Sequence, residues 1–253
     1  MSLDRRRAAL WLAMGLGPEW VRREVSASSS AEVSAQPPAA APALPPGSSA
    51  ARAEAIGAMD WDELQTAVIA CTACDLCRTR TQTVFGVGSR AAPWMIIGEA
   101  PGAEEDARGE PFVGQAGRLL DNMLESIGRS RRIDAGQPVF IANVLKCRPP
   151  GNRNPQPNEV AACEPFLQRQ IELLRPQLVL VMGRFAAQSV LHTDASISAL
   201  RGRVHRLCVA GREVPAIVTY HPAYLLRNLA DKAKSWADLC LALDVASGAL
   251  QEA

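Results

Sequence analysis

The chain has 253 residues, enough for one large domain or for one domain with an appendage. Lys+Arg 27 against Asp+Glu 26 leaves a formal charge of +1, so no global positive field advertises a nucleic-acid partner, and 42 alanines inflate the 48% hydrophobic fraction. No apolar run approaches the roughly 18 residues of a membrane span, and seven cysteines are too few for a disulfide-stapled mini-domain.

Residues 1–20 carry Asp4-Arg-Arg-Arg followed by a short apolar run. This imitates a secretion signal, but no clear cleavage site follows. It is expected to be a short helix on a tether, docking a protein partner through Leu10, Trp11 and Met14. Residues 21–59 contain no aromatic residue and run through serine-, alanine- and proline-rich stretches. Such a segment has too little apolar surface to offset the entropy of ordering it and reads as a disordered linker. Residues 60–250 are then a single globular domain.

Four β-rich segments follow, at Trp94–Ala100, Val139–Leu145, Leu178–Met182 and Val214–Tyr220. Helical periodicity marks Gly117–Ile127, Asn158–Leu174 (capped by Asn158, stopped by Pro176) and Ser235–Leu243. Continuously apolar strands alternating with helices predict an α/β fold, a three-layer α/β/α sandwich around a central four-stranded parallel sheet. Ligands of such sheets bind outside the carboxyl ends of the strands. Polar, Gly/Pro-shaped loops follow three of the four segments: Gly98-Glu-Ala-Pro-Gly, Asn143-Val-Leu-Lys-Cys-Arg-Pro-Pro and Tyr220-His-Pro-Ala-Tyr.

Cys71-Thr-Ala-Cys74 forms a C-x₂-C pair that Cys77 extends, while Cys147 and Cys163 stand on distant elements. Two close thiolates plus two distant ones suit zinc or an iron–sulfur cluster. A zinc ribbon would show a second C-x₂-C, which is absent, and this favours a cluster. Cys208 and Cys240 read as small buried hydrophobes. From Arg129 to Arg153 there are six basic residues against one Asp, and Arg201, Arg203 and Arg206 form a second group. Both suit a surface that tracks a phosphate backbone.

Five motifs in order, Cys71-Thr-Ala-Cys74, Gly98-Glu-Ala-Pro-Gly, Pro111-Phe-Val-Gly-Gln-Ala-Gly, Asn143-Val-Leu-Lys-Cys-Arg-Pro-Pro and His221-Pro-Ala-Tyr-Leu-Leu-Arg, resemble family 4 of the uracil-DNA glycosylases, the iron–sulfur branch of that superfamily. The resemblance spans residues 61–243. It implies a [4Fe–4S] cluster on Cys71, Cys74, Cys147 and Cys163, with Cys77 spare, although spacing alone would let Cys77 replace Cys71. It implies a repair enzyme that flips uracil out of DNA and hydrolyses its glycosidic bond. His221 is the expected catalytic donor to the departing uracil. Glu99 is a candidate for orienting the attacking water, as are Glu105, Asp106 or backbone carbonyls. Gly98, Ala100, Phe112 and Asn143 are expected to bind the base, Phe112 by stacking and Asn143 by reading its edge. Leu226 is the expected wedge, with Arg227 and Arg153 on the DNA backbone. His192 and His205 match no motif. The expected partner is uracil-containing DNA, single- or double-stranded, the chain working as a monomer in the cytoplasm at the nucleoid. Two rival expectations are a cluster-bearing DNA-binding or polymerase-associated module without turnover, and a glycosylase of broader deaminated-base specificity.

Overall fold

The computed structural model describes residues 49–134 and 136–248. The expectations for residues 1–20, and for the linker as far as residue 48, lie outside the described residues.

The strands are β1 (Val87–Gly88), β2 (Trp94–Gly98), β3 (Val139–Asn143), β4 (Leu178–Met182), β5 (Val204–Val209) and β6 (Arg212–Thr219). They form one six-stranded sheet in the order β1-β3-β2-β4-β6-β5. The inner four, β3-β2-β4-β6, are parallel, as their unbroken apolar runs require. The expected four-stranded sheet is therefore the centre of a larger mixed one. Both edge strands are antiparallel. β1 has two residues and shows no alternation to detect. β5 is largely exposed and joins β6 through Ala210 and Gly211, both at positive φ. That two-residue hairpin turn lacks the Asn-Gly or Asp-Gly signature by which such turns are recognised.

The helices are α1 (Ser49–Gly57), α2 (Trp61–Ile69), α3 (Ala103–Arg108), α4 (Gln115–Glu125), α5 (Pro157–Leu174), α6 (Arg184–Leu191), α7 (Ile197–Leu200), α8 (Pro222–Leu225) and α9 (Lys232–Ala246). Alternate strand residues divide between two cores. Met95, Ile97, Phe140, Ala142, Val179 and Val181 pack with α1, α2, α5 and α6. Trp94, Ile96, Val139, Ile141, Leu178 and Leu180 pack with α4 and α9. This period of two through continuously buried strands produces the three layers.

Several expected boundaries move. α5 is capped by Gln156 with Pro157 in its first turn, and Asn158 lies inside that turn. The Gln156 N–H donates to the Glu159 carboxylate at 2.8 Å, which fixes the start of the helix. The last strand begins at Arg212, two residues earlier than expected, because pairing with β5 extends it. Finally, residues 49–59 are not linker. α1 is helical, Ile56 is fully buried, and Arg52 donates to the Ala162 carbonyl at 2.8 Å. Cys208 also departs from expectation, because it is exposed on the edge strand.

Candidate active site and thiol cavity

The carboxyl ends of β2, β3 and β6 feed one cleft of about 470 Å³. It is lined by Glu99, Ala100, Phe112, Asn143, Arg153, His221, Tyr224 and Arg227, among others. Residues expected from four separated motifs thus meet in one place. Gly98, expected to bind the base, does not line the cleft: it is buried behind it and pairs in register with Asn143 on the neighbouring strand. A Cβ on Gly98 would stand 2.4 Å from Asn143 Oδ1 and 2.5 Å from Phe112 Cζ, so glycine is what allows both side chains to lie across the strand end.

Phe112 sits in a loop at φ 55°, and its ring stacks on His221 with centroids 5.3 Å apart at 26°. Three interactions pin that loop. Glu105 Oε1 accepts from Val113 N–H at 3.0 Å while its Oε2 accepts from Gly102 N–H at 3.0 Å. The Arg131 guanidinium donates to the Pro111 carbonyl at 3.1 Å and to Asp121 at 2.6 Å. Gly117 of α4 passes so close that a Cβ there would lie 1.7 Å from the Phe112 carbonyl oxygen.

These bonds separate the water-orienting candidates. Glu105 has both carboxylate oxygens committed to backbone N–H groups. Asp106 is buried and accepts twice from Thr81 N–H, at 2.9 and 3.1 Å. The Glu99 carboxylate lines the cleft and takes no hydrogen bond from the described residues. Burial raises its pKa, with Arg184 opposing the shift.

His221 caps α8, and its Nδ1 accepts from Ala223 N–H at 3.1 Å. That bond assigns the proton of the neutral ring to Nε2. Burial lowers its pKa to about 4, with Glu105 opposing and Arg227 adding to the shift. At neutral pH it is therefore an uncharged N–H donor. Asn143 is 2% exposed and its side-chain amide has no hydrogen-bond partner among the described residues, although buried amides are normally paired. Leu226 is 41% exposed at the end of α8, and Arg227 is exposed beside it.

The basic groups are less free than their sequence suggests. Arg153 lines the cleft but is bound bidentately by the buried Glu159, one bond being 2.9 Å. Lys146 is buried, Arg131 is held by Asp121, and Arg132 by Asp134. Arg129 lies over Trp94, with its guanidinium carbon 4.3 Å from the ring centroid. In the second group Arg201 binds the buried Asp238 and Arg206 pairs with Glu213. Much of the expected backbone-tracking stripe is tied to neighbouring groups, although Arg132 and Arg206 keep largely exposed side chains within their pairs. Tyr224 and Arg184 were missed as site residues; the only hint of them was their position next to strand-end motifs. His192 and His205 stay outside the cleft, contacting Glu164 and the Leu200 carbonyl.

Behind β3, Cys71, Cys74, Cys77, Cys147 and Cys163 line a single small cavity with Arg80 and Lys146. Arg52 donates to Cys71 Sγ at 3.6 Å, Arg80 to Cys147 Sγ at 3.1 Å and Lys146 N–H to Cys163 Sγ at 3.3 Å. Cys74 receives a backbone N–H from Leu76. The four expected ligand sulfurs thus each have a donor, whereas Cys77 has none among the described residues. Burial pushes the Cys163 thiol up to about 12 and also raises Cys74 and Cys147. Among the described residues, no three His, Cys, Asp or Glu side chains converge closely enough to hold a single metal ion.

The sequence model of the Uracil DNA glycosylase superfamily matches residues 85–240. A Type-4 uracil-DNA glycosylase of Archaeoglobus fulgidus is 45% identical over 169 residues, which is 65% of this chain and 82% of that protein. The enzyme of the same name from Sulfurisphaera tokodaii is 39% identical over 171 residues, covering 66% of this chain and 76% of the relative. That from Pyrobaculum aerophilum is 39% identical over 187 residues, covering 72% and 93%. The matched region takes in the strand ends, the Phe112 loop and the Leu226–Arg227 segment together. The chain belongs to the uracil-DNA glycosylase superfamily, among its type-4 members.

Proposed function

We propose that this protein removes uracil from DNA by hydrolysing the N-glycosidic bond, leaving an abasic site for base-excision repair. The observation that carries the reading is the meeting of Phe112, Asn143, Glu99 and His221 in one cleft at the carboxyl edge of the sheet. A base inside a duplex cannot reach such a cleft, so the nucleotide is flipped out at a cost of a few kcal/mol. Leu226, exposed at the rim, fills the vacated stack, and Arg227 contacts the backbone. Arg153 contributes from the rim, although Glu159 holds most of its donors.

In the cleft the Phe112 ring offers a stacking face. The unpartnered amide of Asn143 donates to uracil O4 and accepts from N3–H. Cytosine carries an amino group and an unprotonated nitrogen at these positions, and the pairing fails. Bond cleavage sends the bonding electrons to uracil N1 and, by resonance, to O2, while the sugar gains cation character. The Nε2–H of neutral His221 donates to O2 as that charge develops. The water oxygen then bonds to the sugar carbon, with Glu99 orienting it and taking its proton.

Cys71, Cys74, Cys147 and Cys163 would hold a [4Fe–4S] cluster. The fit rests on their chemistry: burial disfavours an uncompensated thiolate, yet each sulfur has an N–H donor suited to one, and a cationic iron group reconciles the two. A tetrahedral zinc would need sulfurs about 3.8 Å apart, given zinc–sulfur bonds of about 2.3 Å, and no single-ion grouping is present among the described residues. When bound, the cluster supplies a cross-link between the Cys71–Cys74 loop, the exit of β3 and α5. The chain is taken to act as a monomer, and a chromosomal substrate implies work at the nucleoid in the cytoplasm.

The test is a uracil-containing oligonucleotide incubated with the protein and then treated with alkali. Strand scission at the uracil is expected, and an intact strand from protein with full iron content overturns the reading.

A further inference from the structure

Lys146 is a basic residue in the middle of the Asn143–Pro150 motif, yet it is 1% exposed and reaches no phosphate. Its ammonium has three donors and no acceptor. One donates to the backbone carbonyl of Asn143 at 2.7 Å and another to Gln170 Oε1 at 2.7 Å. Gln170, also fully buried on α5, passes the restraint on by donating to the Phe85 carbonyl at 2.9 Å. The main chain of Lys146 is equally engaged: its N–H donates to Cys163 Sγ at 3.3 Å and its carbonyl accepts from Val84 at 2.8 Å. One residue therefore grips the peptide that carries the base-reading amide and, from its other side, the wall of the thiol cavity.

A buried lysine is costly unless its donors are used, so its retention here calls for a role that a methionine of similar length could not fill. The Asn143 carbonyl lies where β3 ends. The next two N–H groups along the chain, Val144 and Leu145, pair with Gly98 and Glu99 carbonyls at 2.9 and 3.0 Å. The Asn143 carbonyl and the Val144 N–H are the two polar ends of one peptide plane, so Lys146 and the Gly98 carbonyl hold that plane from opposite sides. A rotation of that plane on loss of the Lys146 bond would move the amide in the cleft, where displacements of an ångström are decisive.

We propose that Lys146 is a positioning residue for base selection: by holding the Asn143 carbonyl, it fixes the amide that reads the uracil edge and links that amide to α5 and the thiol cavity. This rests on the base-reading role of Asn143, and the experiment separates the two.

The probe is free uracil as a product inhibitor, measured with turnover of a uracil oligonucleotide by iron-loaded wild type, Lys146→Met, Asn143→Ala and the double variant. Lys146→Met is expected to weaken uracil inhibition and to lower kcat/KM, each by about tenfold or more, as when a buried hydrogen-bond partner is removed. Binding to an undamaged oligonucleotide should stay within about twofold. In the Asn143→Ala background the lysine substitution should add almost nothing, because the two act as one unit. Unchanged uracil inhibition in folded Lys146→Met, or losses that simply multiply in the double variant, overturns the proposal. If Lys146→Met does not fold or loses iron, Gln170→Met removes one of the two acceptors of the ammonium. A smaller loss of uracil inhibition then supports the proposal and no loss overturns it. If Asn143→Ala keeps full uracil inhibition, it is the base-reading role that fails.

Discussion

The short segment from Asn143 to Cys147 serves two regions that treat polar atoms in opposite ways. In the thiol cavity each of the four expected ligand sulfurs already has an N–H donor, and Arg80 also binds the Cys71 and Ile69 carbonyls. In the cleft, the Glu99 carboxylate, the Asn143 amide and the Nε2 of His221 face open space without a protein partner. Supporting groups such as Glu105 and Arg131 bond to the Phe112 loop, although Arg131 Nη2 has no partner among the described residues. Committed groups form the frame, and uncommitted ones await a substrate. None of these cleft atoms is buried without a partner among the described residues; they stay open to the cleft, where a substrate can meet them.

The strongest way to break this contrast is to remove a committed sulfur. Cys74→Ala should lose iron and most soluble folded protein, measured by metal content and by yield from expression. Full iron content in a soluble variant would refute its assignment as a ligand. Removing an uncommitted group should spare the frame. His221→Ala is expected to lower turnover by about 10²–10³, the usual effect of losing a donor to a developing anion. Its DNA affinity should change little, and parallel losses in both would make His221 a binding residue instead.

Gly98→Ala sharpens the contrast from behind the cleft. The added Cβ would crowd Asn143 and Phe112, so uracil inhibition should weaken about tenfold while the melting temperature falls only modestly. A melting temperature that collapses with it would mean that Gly98 belongs to the frame.

The smallest expected effect is in pH. His221 falls from 6.5 to about 4 on folding, so the unfolded chain binds the extra proton between these values. Stability from this group is therefore complete above about 6.5 and is lost as pH falls toward 4. Denaturation midpoints followed over that window should drop by more in wild type than in His221→Gln. Equal slopes would remove the claim that His221 is held uncharged. For the same reason, kcat should show no inflection near 6.5.

Much of the site was legible because its residues cluster in short motifs at strand ends. Glu99, Phe112, Asn143 and His221 all stand in those motifs and meet in one cleft, with Gly98 buried directly behind two of them. What the sequence leaves open has one cause, that a charged or small residue carries no label for its partner. Arg153 reads as a free cation, and the fold pairs it with Glu159, six positions on, while leaving it in the cleft wall. Glu105 and Asp106 looked like water-orienting carboxylates, yet they bind backbone N–H groups of Val113 and Thr81. Helix α1 looked like linker because its buried anchors are few, and its Arg52 finds the Ala162 carbonyl 110 residues away.

The sequence by itself determined the α/β class, the four central strands and the order of the functional motifs. Those features are written in local periodicity and in loops directly joined to strands, and they need no knowledge of distant contacts. Only the tertiary structure decided the two edge strands, the place of α1, and which charged groups are free. Pairing and burial depend on residues far apart in the chain, and the same arginine is a DNA contact or a strut according to what folds against it.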